Sequence, residues 1–400
     1  MDSTVANPNQ EIAISVIIPA FNFASSLKNV LDAVNCQTIP PCQIIVIDSS
    51  VNNEVKDIIN SNNWNVEIIY QKVDKAFPGE ARNLGVKLAS YEWLAFLDSK
   101  TIPNCNWIEH CFNIVQNRNT KVVFGLTRYI ARTDFQNLVK ASIYGDDGVE
   151  TTPGTLIKKD IFLKSGGFIE GVRTADDLEW RQRLRSEGFR CIAPKKNTLV
   201  YSDISDSLYE NIKRFFMYQF YGATVNIQNK VKDLYLTLFL LLSAFLIPRW
   251  NAIVGWQDSF LYIPNITKIY LLSLTTILFS KLLIDNYLCK RVKGSTVSYF
   301  IKISALTVVT LIVINWNYVI VDWEENALMY IPHITKFYIL CLLLSSISYR
   351  GIYFPIKHGI STNYLFPYKW IKVGLLGLIF DFSKAPGYII GSIIYPFKKY

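Results

Sequence analysis

Four stretches of this 400-residue chain carry side chains able to hold or activate a phosphorylated, ribose-bearing ligand. In Pro78-Gly79-Glu80-Ala81-Arg82-Asn83-Leu84-Gly85, Arg82 offers a two-pronged guanidinium to a phosphate or a base. Gly79 permits a tight turn there and Gly85 lets a helix pack closely. The alternative is a helix start with a surface Arg–Glu pair. Asp98-Ser99-Lys100 follows an apolar run, so Asp98 arrives at a strand end. Two carboxylates at that point would suit Mg²⁺ or Mn²⁺ neutralising a diphosphate, because these ions take oxygen ligands. Only one is present, with an ammonium beside it, which keeps Asp98 as a ligand candidate and puts the metal in doubt. Asp48 ends another apolar run and offers acceptors to a base or ribose; it equally suits an Asx-turn with Ser49 and Ser50. Asp176-Asp177 precedes a helical pattern. Adjacent carboxylates repel, lifting one pKa toward that of a general base, and either can also cap the helix.

These groups need elements that bring strand ends together. Residues 12–19, 43–47, 66–70 and 93–97 are short apolar runs that read as strands. They alternate with helical patterns at 25–35 (Ser25 or Ser26 as cap), 53–60 and 82–88. This rhythm predicts a mostly parallel α/β sheet with helices on both faces, whose ligands bind at the C-terminal strand edge. Beyond it, 122–126 and 155–157 read as strands, and 161–165 and 178–187 as helices. Residues 208–226 form an aromatic-rich helix, either interfacial or simply packed.

The chain divides by composition. Residues 229–400 hold 17 Lys and Arg against 7 Asp and Glu, whereas residues 1–228 hold 24 against 25. The basic half is also the apolar half, so its excess is read as membrane orientation and contact with anionic lipid rather than nucleic-acid binding. It contains an internal repeat. Trp250-Asn251, Trp256 and Tyr262-Ile-Pro-Asn-Ile-Thr-Lys268-Ile-Tyr270 return as Trp316-Asn317, Trp323 and Tyr330-Ile-Pro-His-Ile-Thr-Lys336-Phe-Tyr338. Apolar segments flanking aromatic loops predict two helical hairpins, with spans near 234–249, 267–285, 299–321 and 336–354. The first two are short, leaving re-entrant hairpins open. The basic loop at 290–293 faces the cytosol and the acidic loop at 322–325 the far side. Residues 370–397 are apolar but interrupted by Lys372, Asp381, Lys384 and Pro386, favouring an interfacial helix over a further span. The seven cysteines and three histidines show no zinc spacing, and the polar N-terminus shows no signal peptide.

Together these motifs resemble the family-2 glycosyltransferases with the GT-A fold, over roughly residues 14–226. The match is carried by Val16-Ile-Ile-Pro-Ala-Phe-Asn22, Ile45-Val-Ile-Asp48, Pro78 to Gly85, Phe96-Leu-Asp98, Gly166-Gly-Phe168 and Asp176-Asp177. The resemblance implies that Pro19, Ala20 and Asp48 cradle a nucleobase with Arg82 beside it. It places Asp98 at the ribose–diphosphate region and makes Asp177 the base. Two departures stand out: Lys100 replaces the second Asp of the metal motif, and the Gln-x-x-Arg-Trp motif of processive synthases is absent, with Arg214-Phe-Phe-Met-Tyr218 no substitute. The expectation is a cytosolic GT-A domain (1–228), a membrane domain (229–360) and an interfacial or membrane C-terminal helix (361–400). Such a chain transfers one sugar, with inversion, from a nucleotide-sugar donor, UDP-linked for preference, to a lipid-linked or glycan acceptor at the cytoplasmic membrane. A polyprenyl-phosphate glycosyltransferase and a non-catalytic scaffold are the alternatives.

Overall fold

The computed structural model describes residues 13–225, 227, 344 and 346–397. The elements run β1 (Ile14–Ala20), α1 (Ala24–Asn35), β2 (Gln43–Asp48), α2 (Glu54–Asn60), β3 (Glu67–Lys72), α3 (Pro78–Leu88) and β4 (Trp93–Phe96). Then follow β5 (Thr101–Pro103), α4 (Trp107–Arg118), β6 (Val122–Tyr129), α5 (Asp134–Ile143), β7 (Val149–Lys158) and α6 (Lys159–Lys164). The series closes with α7 (Asp176–Ser186), β8 (Cys191–Ile192), β9 (Leu199–Tyr201) and α8 (Leu208–Thr224).

The nine strands form one sheet in the order β3-β2-β1-β4-β7-β6-β9-β5, with β8 beside β6. The expected parallel rhythm holds for β3, β2, β1 and β4. The sheet as a whole is mixed, because β7 runs antiparallel to both β4 and β6. This GT-A-like arrangement departs from the mostly parallel expectation after β4. Past β4 the directions mix, with β6 parallel to β8 and β9 but β5 antiparallel to β9, and β6 and β7 are longer than their apolar cores suggest. Along β1, Ile14, Val16 and Ile18 pack one way with α1 and α4, while Ile17 packs the other way with α3 and Trp180. Both faces of β1 and β2 are therefore buried, which explains their uninterrupted apolar sequence.

α3 lies tight against the sheet. A Cβ on Gly85 would sit 2.4 Å from Ile17 Cγ2, in a fully buried part of β1. Gly85→Ala is expected to lower stability by roughly 1–3 kcal/mol through overpacking, read as a lower thermal midpoint of the purified chain. A midpoint equal to that of the wild type would show that α3 can shift away. The caps differ from expectation: Ser25 and Ser26 lie inside α1, whose N-cap is Phe23.

The compact unit built on residues 1–225 also takes in residues 348–388. There a π-helical turn (Tyr349–Tyr353) leads to a 26-residue helix, here α9 (Lys369–Ile394). Leu376 and Phe380 of α9 join Val139, Ile204 and Phe215 in one buried cluster, with Phe380 4.7 Å from Phe215. Val373 joins Ala141, Ile360 and Leu365 in another. α8 is thus a packed helix, and residues 348–360, which hydropathy groups with the membrane segment, belong to this unit. Arg350 grips Asp381 with two hydrogen bonds of 2.8 Å, which accounts for the carboxylate inside an apolar helix. Among the described residues no helix is long and apolar enough to cross a membrane. The expected spans at 234–249, 267–285 and 299–321, most of 336–354, the repeat and both charged loops lie outside the described residues.

Candidate active site

The C-terminal ends of β1, β2 and β4 and the N-termini of α3 and α7 converge on one edge of the sheet. Pro19 and Ala20 close β1 opposite Ile47 and Asp48 of β2. The Ser49 amide donates to the Ala20 carbonyl at 3.0 Å, and the Asn22 amide donates to Ser50 Oγ at 2.8 Å. The two loops are thereby joined.

Asp48 is fully buried and fully engaged. Its Oδ1 accepts the Ser50 amide at 2.8 Å, while Oδ2 accepts Tyr70 Oη at 2.9 Å and Lys72 Nζ at 3.1 Å. Burial alone would raise this carboxyl, but the hydrogen bonds from Ser50, Lys72 and Tyr70 outweigh it and hold it below its ordinary value. The Asx-turn reading of Asp48 therefore describes its contacts in this structure, and contact with a base requires Lys72 to yield. Tyr70 and Lys72 went unnoticed in the sequence. Their two-residue spacing on a strand beside Asp48 was the available signal.

Arg82 forms the centre of the site. Its side chain is buried, and Nη1 donates to Asp176 Oδ2 at 2.9 Å and Nη2 to Asp98 Oδ1 at 2.5 Å. The guanidinium also lies 5.3 Å from the Phe168 ring centre. Arg82 and Asp176, far apart in sequence, meet because Gly79 carries no side chain. A Cβ there would stand 3.0 Å from Asp176 Oδ2 and 2.8 Å from the Ile169 carbonyl. Gly79 thus serves close approach within α3 rather than a turn. The surface Arg–Glu alternative fails as well, since Glu80 accepts from the Phe77 and Gly171 amides while Arg82 points inward.

Asp176 and Asp177 are the first two residues of α7, and neither side chain caps it; the N-cap is Ala175 at φ +76°. Their environments differ sharply. The Asp176 side chain is 4% exposed in its ion pair, whereas that of Asp177 is 33% exposed and 3.9 Å from Arg181. Burial, opposed by Arg82 and reinforced by Asp177 and Asp98, pushes the Asp176 carboxyl up to about 7. A carboxyl raised on folding binds its proton more tightly in the native state, so stability falls as pH climbs from about 4 to about 7. Asp176→Asn is expected to flatten that stretch of the stability–pH curve, measured by denaturant unfolding at several pH values. An unchanged slope would show that the carboxyl is not raised.

Asp98 follows β4, and its own amide donates to Thr101 Oγ1 at 3.0 Å. Lys100 pairs with Asp203, and its Nζ lies 3.2 Å from the centre of the Phe23 ring. Asp98 is engaged by Arg82, and the Lys100 ammonium that stands two residues on is turned to Asp203. Among the described residues no three His, Cys, Asp or Glu side chains converge on a metal-sized site.

Residues 15–171 match the family model described as glycosyl transferase family 2. That stretch contains Asp48, Arg82, Asp98 and the strand ends that carry them. These residues form a family-2 glycosyltransferase domain. The glycosyltransferase AglE of Haloferax volcanii is 25% identical over 190 residues, 44% of this chain and 62% of that one. The chain thus spans about three fifths of that relative's length. Among solved structures, the Pyrobaculum calidifontis mannosyltransferase PcManGT, in complex with GDP-Man and Mn²⁺, superposes with a TM-score of 0.45 and 14% identity. That match covers 95% of this chain and 88% of the other. Residues 1–349 of TarS from S. aureus, in complex with UDP-GlcNAc, give a TM-score of 0.43 and 13% identity over 76% of this chain and 90% of the other. Asp176 and Asp177 lie just beyond the matched stretch, and Asp176 joins its site through Arg82.

Proposed function

We propose that the chain transfers a single sugar from a nucleoside-diphosphate sugar, UDP-linked in our reading, to a hydroxyl of a lipid-linked acceptor, with inversion at the sugar carbon. The division of labour between two adjacent carboxylates carries this reading: Asp176 is locked onto Arg82, while Asp177 is accessible at the same strand edge. In it, Asp177 takes the acceptor hydroxyl's proton as the oxygen attacks the sugar carbon and the bond to the diphosphate breaks. The joined loops at Ala20 and Asp48 cradle the base. Arg82 and Asp98 hold the ribose–diphosphate region. Lys100, released from Asp203, adds positive charge beside the departing diphosphate.

Membrane attachment with the catalytic domain on the cytosolic side belongs to this reading, and the outer face of α9 supports the attachment. Ile371, Leu375, Ile379 and Phe382 recur every three or four residues and are all exposed, opposite the face that packs on α8. An apolar stripe of this kind suits the headgroup boundary of a bilayer. The test is to give detergent-solubilised chain a panel of UDP-, GDP- and dTDP-sugars with extracted lipids and to identify products by mass spectrometry. A sugar-modified lipid is expected. Donor binding without any product would remove the lipid acceptor, and no donor binding at all would favour a scaffold.

The Lys100–Asp203 pair leads to a further expectation. Activity in EDTA should stay within a few-fold of that with Mg²⁺ or Mn²⁺, and Lys100→Asp should become metal-dependent. Complete loss in EDTA restored by Mn²⁺, with Lys100→Ala behaving alike, would deny Lys100 an electrostatic role.

A further inference from the structure

Arg214, set aside by the sequence reading and unused in the mechanism above, sits in a niche of tyrosines. β6 and β9 run parallel with Tyr129 opposite Tyr201, their ring centres 5.2 Å apart. Tyr144, just past α5, stacks on Tyr129 at 3.8 Å. On α8, Arg214 and Tyr218 are four residues apart and share a face, and Arg214 interacts with Tyr144, Tyr201 and Tyr218. None of these five residues is fully buried: Tyr129 and Tyr144 pack against the cluster of Val139, Phe215 and Phe380, Tyr201 and Arg214 are half-buried, and Tyr218 opens to the surface.

The niche faces the site. Tyr129 and Tyr218 feel the charge of Asp177, and Tyr201 and Tyr218 that of Asp98. Tyr201 pairs in register with Thr101, whose hydroxyl is bonded to Asp98. Arg82, Arg181, Arg183 and Arg185 each have a carboxylate partner. Among the described residues no carboxylate pairs with Arg214. A guanidinium cannot shed its proton, and phenols answer its charge only weakly once it is partly desolvated. A phosphate would answer it fully, through two parallel hydrogen bonds. The niche is built from β6, β9, α5 and α8, whereas the loops read as the donor's cradle follow β1 and β2.

We propose that Arg214, walled by Tyr129, Tyr144, Tyr201 and Tyr218, binds a phosphate group of the acceptor and so holds the accepting hydroxyl near Asp177. This rests on the reading of Asp177 as the residue facing the acceptor. The test uses the full chain in detergent, titrated by calorimetry with UDP and uridine, then with sn-glycerol 3-phosphate and glycerol at saturating UDP. Glycerol phosphate is expected to bind and glycerol not. Arg214→Gln should weaken glycerol phosphate at least about tenfold, the scale of one charge-assisted hydrogen bond, with UDP affinity kept; Arg214→Lys should fall between. Failure of the wild type to bind glycerol phosphate would overturn the proposal. So would a loss of UDP affinity, but not uridine affinity, in Arg214→Gln, which assigns the guanidinium to the donor's diphosphate. If no nucleotide binds, the donor reading fails by itself, and the glycerol phosphate titration, run without nucleotide, still decides this one.

Discussion

Asp177→Asn is expected to lower sugar transfer about 10²–10⁴-fold, the usual cost of losing a general base, while donor affinity stays within a few-fold. The geometry separates the two effects. The Asp177 carboxylate lies 3.9 Å from Arg181, which is held independently by Glu150 at 3.0 Å. The substitution therefore leaves the Arg82–Asp98–Asp176 cluster intact. Asp176→Asn acts oppositely, since it removes a partner of the buried Arg82 and disturbs the donor region along with stability. Single-turnover transfer rates and calorimetric donor affinities for the two variants check the assignment. Near-normal transfer by Asp177→Asn would remove it from the mechanism and point to a phosphate acceptor, which needs no strong base.

Arg82→Met should be the most destabilising single change in the described site. Asp176 would then be buried opposite Asp98 with no cation between them. Breaking a buried pair by removing one partner costs roughly 3–5 kcal/mol. The orphaned carboxyl can escape by taking up a proton, so the loss should be small near pH 5 and largest at pH 8. Denaturant midpoints across that range measure it. The double variant Arg82→Met, Asp176→Leu should regain much of the stability, since an apolar replacement for a buried ion pair is often neutral, yet remain inactive. A pH-independent loss, or no recovery in the double variant, would show that Arg82 acts by packing against Phe168.

The sequence made the strand ends legible because β1, β2 and β4 are buried on both faces and so read as unbroken apolar runs. Asp48 and Asp98 could be named for that reason, and Arg82 and Asp177 from the helix starts that carry them. What distinguishes Asp176 from Asp177 was not legible. Both open the same helix, and only the close approach allowed by Gly79 assigns one of them to Arg82. Asp48 was found without its partners, since Tyr70 and Lys72 come from a neighbouring strand. Arg214 was missed because a motif comparison asked for Trp beside it, whereas its surroundings come from β6, β9 and the end of α5. The antiparallel β7 was hidden for a related reason: its apolar core, Thr155 to Ile157, is short, and its pairing with β4 depends on register that no local pattern records.

The return of residues 348–388 to the catalytic unit has a consequence for how the protein is made. A ribosome adds about 5–20 residues per second, so on the order of ten to thirty seconds separate the emergence of Val225 from that of Tyr388. Throughout that interval Val139, Ile204 and Phe215 lack the Leu376 and Phe380 that cover them in the finished fold. This compact unit is therefore a late product of its own synthesis. Its last wall is laid only after residues 226–347 have left the ribosome, so the nascent domain must be kept from aggregating while they emerge.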